Sequence, residues 1–383
     1  FCEEYDNFVF NHNEVVLYKW VEEYEPALFE RIQRLVREGR WKIMGGWYVQ
    51  PDCNMPSGES FVRQALIGKT YFLEKFGVEP TTAINFDPFG HTRGLAQILK
   101  KCGYDSYAFC RPGPADIDIE GEDFIWVGFD GSEIIGHRAG EFYGSLRGDA
   151  SNKVRQWMEK YPDEPVLAVL WGVGNHGGGA SRQDLQELGG LMAECKTHEI
   201  CHSTLEQFFQ ELKASGKELK RREKDLNPWG VGCYTSQVRI KQKHRKLENE
   251  IYLTEKMLSA AALNGLLTYP KQEIDEAVDD LLLTEFHDIL PGSSIQPVEE
   301  SALRMLDHGL EILSRVKARG FFALAAGQPR GKDGSNPILV YNPHPFPVRT
   351  VIECEHQLAV VDFSDNVWHV PIVCQNGKPL PSQ

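Results

Sequence analysis

A chain of 383 residues with 42% hydrophobic and 25% charged side chains reads as a globular sequence long enough for more than one domain. Its net charge of -14 argues against a nucleic-acid partner, which needs a basic surface, and no apolar run is long enough to span a bilayer. The nine cysteines are scattered from Cys2 to Cys374 without a CxxC pair, a pattern of reduced thiols in a cytoplasmic protein rather than of a disulfide framework. The sequence opens at Phe1 rather than Met, so the lack of a visible signal peptide carries no weight.

Residues 8–10 (Phe-Val-Phe) read as a short strand. Leu28, Ile32, Leu35 and Val36 recur at helical spacing, and Gly39 follows as a stop. Trp41 to Trp47 is a strand ending in a Gly45-Gly46 turn, and residues 58–76 form an amphipathic helix with Phe61, Val62, Ala65, Leu66, Phe72, Leu73 and Phe76 on its apolar side. The run Thr81 to Phe86 has the length and content of a buried strand, and Asp87-Pro88-Phe89-Gly90 then turns the chain sharply. A helical segment with Leu95, Ile98 and Leu99 closes a strand–loop–helix unit. Tyr104 to Phe109 is the next strand, leading to Arg111-Pro112-Gly113. Phe124–Phe129 and Ser132–His137 flank Asp130-Gly131, a strong hairpin signal. Val166 to Val173 reads as a buried strand running into Gly174-Asn175-His176-Gly177-Gly178-Gly179, with a helix to about Cys195. The alternation of strands and helices implies an α/β fold with a mostly parallel sheet.

The pattern changes near residue 236. Ile240, Leu247, Ile251, Leu258 and Ala262 mark one long helix, Ile274, Val278, Leu281 and Leu282 a second, and Leu303, Leu306, Leu310 and Leu313 a third, which together read as a three-helix bundle. After a loop at 327–334, Leu339–Asn342 and Thr350–Glu353 read as strands, the start of a β domain. The expected divisions are 1–235, 236–327 and 335–383.

Four loops could carry chemistry: those with Trp47 and Asp52, Asp87 and His91, the glycine-rich His176 loop, and His287 with Asp288. Asp87 sits where α/β folds bind ligands, at the carboxyl end of a strand, but Asp is also a common turn and capping residue. The glycine-rich loop lacks the Gly-Lys-Ser/Thr ending of a phosphate loop and is equally readable as a lid. His287 beside Asp288 at a helix end is either a ligand or part of a cap, whereas lone histidines such as His12, His198 and His308 read as surface residues. Asp87 and His287 offer one oxygen and one nitrogen to a zinc-type ion, one short of the three protein ligands usual for catalytic zinc.

Taken together, five ordered blocks resemble glycoside hydrolase family 38, the class II α-mannosidases, in their bacterial cytoplasmic-type branch. They are Gly45–Ser60, Asn85–His91, Gly174–Gly179, Gly232–Ser236 and His287–Gly292. The resemblance implies a (β/α)7-type barrel catalytic domain, a three-helix bundle and β domains. It implies that Asp87 is the nucleophile of a retaining glycosidase and a zinc ligand, that His287 is a second zinc ligand, and that Phe89, Arg111 and Asp288 line the sugar site. The implied substrates are α-mannosides, and the implied partner is a further copy of the chain in a homo-oligomer. The family's His-x-Asp zinc pair has no counterpart before Asp52, so the chain is expected to be a fragment lacking the first strand. The family's acid/base Asp is also missing from the Gly174–Gly179 block, which leaves His176, Asp184 or Asp288 for that role. A metal-dependent polysaccharide deacetylase and a non-catalytic sugar-binding piece are the alternative readings.

Overall fold

A computed structural model describes residues 1–140, 142–174, 178–355 and 372–381, in two units, Phe1–Pro337 and Ile338–Gln383. The first unit opens with β1 (Phe10–His12), α1 (Val15–Tyr24), α2 (Pro26–Arg37), β2 (Trp41–Ile43), α3 (Gly58–Phe76), β3 (Thr82–Ile84), α4 (Gly94–Lys101) and β4 (Ser106–Phe109). It continues with β5 (Asp123–Val127), β6 (Glu133–Arg138), α5 (Ala150–Lys160), α6 (Arg182–Glu194), α7 (Leu205–Ala214) and β7 (Lys220–Arg222). A short 3-10 turn at Val231–Thr235 leads into three long helices, α8 (Val238–Leu263), α9 (Lys271–Thr284) and α10 (Gln296–Ala325).

The fold is mixed α/β. β1 and β2 pair in parallel, with Phe10 opposite Trp41, and a five-stranded sheet runs in the order β3-β4-β6-β5-β7. Its β3–β4, β4–β6 and β5–β7 pairs are parallel, and β5–β6 is the antiparallel hairpin that Asp130-Gly131 signals. Among the described residues the two sheets are not joined into one closed ladder, so the seven-membered barrel is not traced as a ring. The β3 side chains are all buried, because helices cover both faces of a parallel sheet. Ala83, Tyr107, Phe109, Phe124 and Trp126 fill one core with Trp47, Phe61, Leu95 and Leu99. A second core joins the first helices to the last three: Tyr18, Phe29 and Phe72 pack in one cluster with Leu247, Ile251, Leu281, Leu306 and Leu313. Each such fully buried side chain contributes about 1.5–3 kcal/mol of transfer free energy.

α3 starts where the sequence marks it. Ser57 caps its N-terminus by accepting from the Ser60 N–H, and Gly77 ends it in a left-handed conformation (φ 69°). Its inward row is Phe61, Ala65, Gly68 and Phe72, while Val62, Leu66 and Leu73 face outward at 37%, 62% and 52% exposure, contrary to expectation. Gly68 is required because a Cβ there would stand 2.2 Å from the Gly46 carbonyl oxygen. That close approach seats the Gly45-Gly46-Trp47 turn on the helix.

Three expectations fail for the same reason. Val166–Val173 is mostly half-buried coil rather than a strand; at its end a single parallel bridge joins Val173 to Ser145, with the Ser145 N–H donating to Gly172 and the Val173 N–H to Gly179. Leu339–Asn342 and Thr350–Glu353 in the second unit are also irregular, and that unit's described strands are the two-residue β8 (Cys374–Gln375) and β9 (Lys378–Pro379). An apolar run becomes a strand only when a neighbouring ladder satisfies its backbone and a core covers its side chains. His12 is not a surface residue: it packs edge-on against Tyr18 at 5.1 Å, and burial lowers its pKa. All nine cysteines are unpaired. Among the described residues no helix is long and apolar enough to cross a membrane.

Candidate active site

The site is built where β3 and β4 run out. The Phe86 carbonyl accepts the N–H groups of Cys110 and Arg111, both at 3.1 Å, so the exits of the two strands are hooked together. This brings the Arg111 guanidinium against Asp87, with Nη1 2.9 Å from Oδ1. Tyr143 donates its hydroxyl to the other oxygen, Oδ2, at 3.1 Å. Burial, and then the neighbouring Asp87 charge, push the Tyr143 phenol up to about 12, so it stays a donor at neutral pH. The Arg111 guanidinium lies 4.4 Å over the ring of Trp229, and Trp229 stacks on Phe89 at 5.2 Å with 18° between the planes. Asp87 therefore faces a cation, a phenol and an aromatic wall while keeping 22% of its side chain exposed.

His287 is tied to the Asp87 turn through a backbone strap. Residues 50–52 and 285–287 form a two-rung antiparallel contact, with the Asp52 N–H donating to Glu285 at 2.8 Å and the His287 N–H donating to Gln50 at 3.2 Å. The Gln50 side-chain oxygen accepts from the Phe86 N–H at 3.0 Å. One residue thus ties the Asp87 turn to the His287 turn. The His287 Nδ1 lies 3.1 Å from the same Gln50 carbonyl. A carbonyl only accepts, so Nδ1 is the donor in this contact, the tautomer that in a neutral imidazole leaves the Nε2 lone pair for a metal. Asp87 Oδ1 is buried and, despite its ion contact with Arg111, makes no aligned hydrogen bond. The Asp87 carboxylate and the His287 Nε2 are donors of the types a zinc ion takes, with the Arg111 guanidinium now opposite Oδ1 at 2.9 Å.

The neighbouring residues are structural. Asp52 is fully buried, accepts from the Tyr234 hydroxyl at 2.7 Å and from the Asn54 and Met55 N–H groups, and has its pKa raised by burial. His91 is held between Tyr107 (Nδ1 to hydroxyl, 2.7 Å) and the Arg111 carbonyl (Nε2, 2.7 Å), and burial lowers its pKa to about 4. His91 is neutral in the fold, whereas the unfolded chain binds its proton near pH 6.5. Its contribution to stability is therefore full above about pH 6.5 and is lost as pH falls toward 4. Lowering the pH from 7 to 5 is expected to remove about 2 kcal/mol through this group. Denaturant midpoints across that range check it, because His91→Gln should flatten the wild-type slope.

The remaining candidates separate clearly. Asp184 is buried and committed: Oδ1 accepts from the Gly148 and Ala150 N–H groups and Oδ2 from the Ser181 hydroxyl, joining the starts of α5 and α6. Its role is architectural, which withdraws it as an acid/base. Asp288 is half-buried beside His287 and accepts from Ser293 Oγ at 3.1 Å. His176 lies outside the described residues. Sequence reasoning missed Tyr143, Trp229 and Gln50. Trp229 was signalled by its place in the Asn227-Pro228-Trp229-Gly230 turn, whereas nothing local marks Tyr143 or Gln50. It also missed His244, Glu248 and Glu285, whose donor atoms lie within 4.8 Å of one another and are of types that could hold a metal ion.

Known proteins give the class of this site first. Residues 1–231 match the N-terminal domain of glycosyl hydrolases family 38, and residues 231–322 match the alpha-mannosidase middle domain. The chain belongs to glycosyl hydrolase family 38. It is 31% identical to alpha-mannosidase G of Dictyostelium discoideum over 80% of this chain and 28% of that protein. It is 30% identical to human alpha-mannosidase 2C1 over 90% of this chain and 33% of that protein. The crystal structure of an alpha-mannosidase from Enterococcus faecalis V583 shares its fold at a TM-score of 0.73 and 20% identity, over 85% of this chain and 39% of that one. The chain thus spans about a third of the length of these relatives.

Proposed function

We propose that the chain carries the catalytic carboxylate of a retaining, zinc-dependent α-mannosidase that cleaves α-mannosidic bonds in oligosaccharides or glycans. The observation that carries this reading is Asp87 itself, paired with Arg111 and Tyr143 beside the Phe89–Trp229 wall, in a chain of family 38. An Asp87 oxygen attacks the anomeric carbon, the glycosidic C–O bond breaks, and the leaving oxygen takes a proton from the acid/base. Water then attacks the glycosyl-aspartate, gives its proton to the same acid/base, and releases mannose with retained configuration. The stacked aromatics suit the apolar face of a sugar ring, and Arg111 holds the attacking carboxylate in place. Asp288 keeps two roles open, contact to a sugar hydroxyl and proton transfer. Asp87 and His287 would hold the zinc ion together with further ligands, and a bound ion supplies positive charge to adjacent sugar hydroxyls.

The same proposal divides the chain into a catalytic domain over 1–235, a three-helix bundle over 236–327 and the start of a β domain over 335–383. The strands of the first division belong to a (β/α)7-type barrel. Unpaired thiols support a reducing, cytoplasmic setting. The test is an assay of the full-length enzyme on an aryl α-mannoside before and after metal removal. Turnover is expected to fall at least tenfold with a chelator and to return with zinc. Turnover that survives thorough metal removal overturns the zinc requirement, and release of acetate in place of mannose overturns the reaction class.

A further inference from the structure

We infer that Glu285 is the positioning residue for His287, and that a buried side-chain network on α8, α9 and α3 fixes the metal-ligand turn; this rests on the proposed reading of His287 as a ligand. Glu285 is fully buried at the end of α9, two residues before His287. Its Oε1 meets His244 Nε2 of α8 at 3.0 Å, and its Oε2 accepts from Gln64 Nε2 of α3 at 3.1 Å. Gln64 donates also to the Leu282 carbonyl at 2.9 Å and accepts the Val49 N–H through its own oxygen at 3.1 Å. One amide thus fixes both the chain before Glu285 and the chain before Gln50.

The Glu285 carbonyl is the first rung of the strap and the His287 N–H is the second, so a shift of Glu285 is carried directly into His287 and Asp52. Glu248, one turn after His244, secures the far end of the same loop. Its Oε1 accepts from the Ser57 N–H at 2.8 Å and from Ser60 Oγ at 2.7 Å, and its Oε2 pairs with Arg245, which donates to the Met55 carbonyl. Within the cluster His244 pairs with Glu285, while Glu248 is tied to Ser57, Ser60 and Arg245, so the three buried side chains secure the two ends of the loop that the strap closes. The cluster's place between the helices and the strap gives it a function: the last helices hold the geometry of the site as well as the core. A group hydrogen-bonded directly to a ligand typically sets tenfold to hundredfold of metal affinity; for the His287 ring that group is the Gln50 carbonyl, and Glu285 acts one step further back, through the strap.

The experiment measures the zinc affinity of the full-length enzyme by competition with a chromophoric chelator, alongside its melting temperature. Glu285→Met removes both acceptors at similar length and is expected to lower zinc affinity by about tenfold, the lower end of what a direct partner of the ligand sets. Glu285→Gln is expected to restore most of it, since the amide oxygen still accepts from Gln64 and its NH2 meets the other tautomer of His244. His244→Leu removes one arm only and serves if Glu285→Met does not fold; it is expected to shift affinity in the same direction by a smaller factor. His287→Ala is the reference and is expected to lose the most. A loss in His287→Ala with wild-type affinity in folded Glu285→Met, or in His244→Leu where Glu285→Met does not fold, overturns the positioning role alone. So does an equal loss in Glu285→Met and Glu285→Gln, because it assigns the effect to charge. Wild-type affinity in His287→Ala overturns the ligand assignment and the positioning role with it.

Discussion

Asp87→Asn is expected to lower kcat on an aryl α-mannoside by about 10⁴-fold or more, with a melting temperature within a few degrees of wild type. The loss is large because an amide oxygen is a poor nucleophile and a poor leaving group, so both the formation and the breakdown of the glycosyl-enzyme suffer. At least 5 kcal/mol of barrier, roughly, corresponds to that factor. The fold should survive because Asp87 lies after β3 rather than within it, keeps 22% of its side chain exposed, and in amide form still accepts from Tyr143. A partly exposed ion pair of this kind stabilises the fold by no more than about 1 kcal/mol. Asp87→Ala sharpens the assignment, because the vacated space admits a small anion such as azide. Recovery of turnover as a glycosyl azide identifies Asp87 as the nucleophile, whereas a variant within tenfold of wild-type rate removes it from the chemistry.

That residue was legible because its signal is local. An apolar run, an acid, a proline and a glycine are enough to put Asp87 at a strand end, and the structure buries Thr82–Ile84 just ahead of it. Helix α3 was legible for the same reason, through Ser57 and Gly77 at its ends. The partners of Asp87 were less so. Gln50 and His287 are 237 positions apart and meet through backbone groups, which side-chain periodicity does not encode. Tyr143 reaches Asp87 across 56 positions. The helical spacing around Val62, Leu66 and Leu73 was real but did not fix which side of α3 faces in; Gly68 against the Gly46 carbonyl did. Asp184 had the composition of a catalytic acid, and only its three donors show that it caps helices instead. The polar network of His244, Glu248 and Glu285 hid behind apolar neighbours, because one buried polar residue per helical turn leaves the amphipathic pattern intact.

Arg111→Lys is the second large effect expected, a fall of about 10²-fold in kcat/KM carried mostly by kcat. The guanidinium does two things that an ammonium cannot do together. Its flat face rests on Trp229 at 4.4 Å while its edge points Nη1 at Asp87 from 2.9 Å. Lysine can keep the charge but not the plane, and its stronger hydration draws the ammonium toward water and away from the ring. The Arg111 backbone is fixed independently, with its N–H on Phe86 and its carbonyl on His91, so the substitution should leave β4 and the fold in place. Arg111→Gln, which keeps a planar end group and deletes the charge, separates the two contributions. If charge dominates, it should fall below Arg111→Lys; if the stacked plane dominates, it should match or exceed it. Arg111→Lys within threefold of wild type would show that any cation beside Asp87 suffices. A rise in KM at constant kcat would move Arg111 from the nucleophile to the sugar, because an interaction made equally in the ground and transition states changes binding and leaves the chemical step alone.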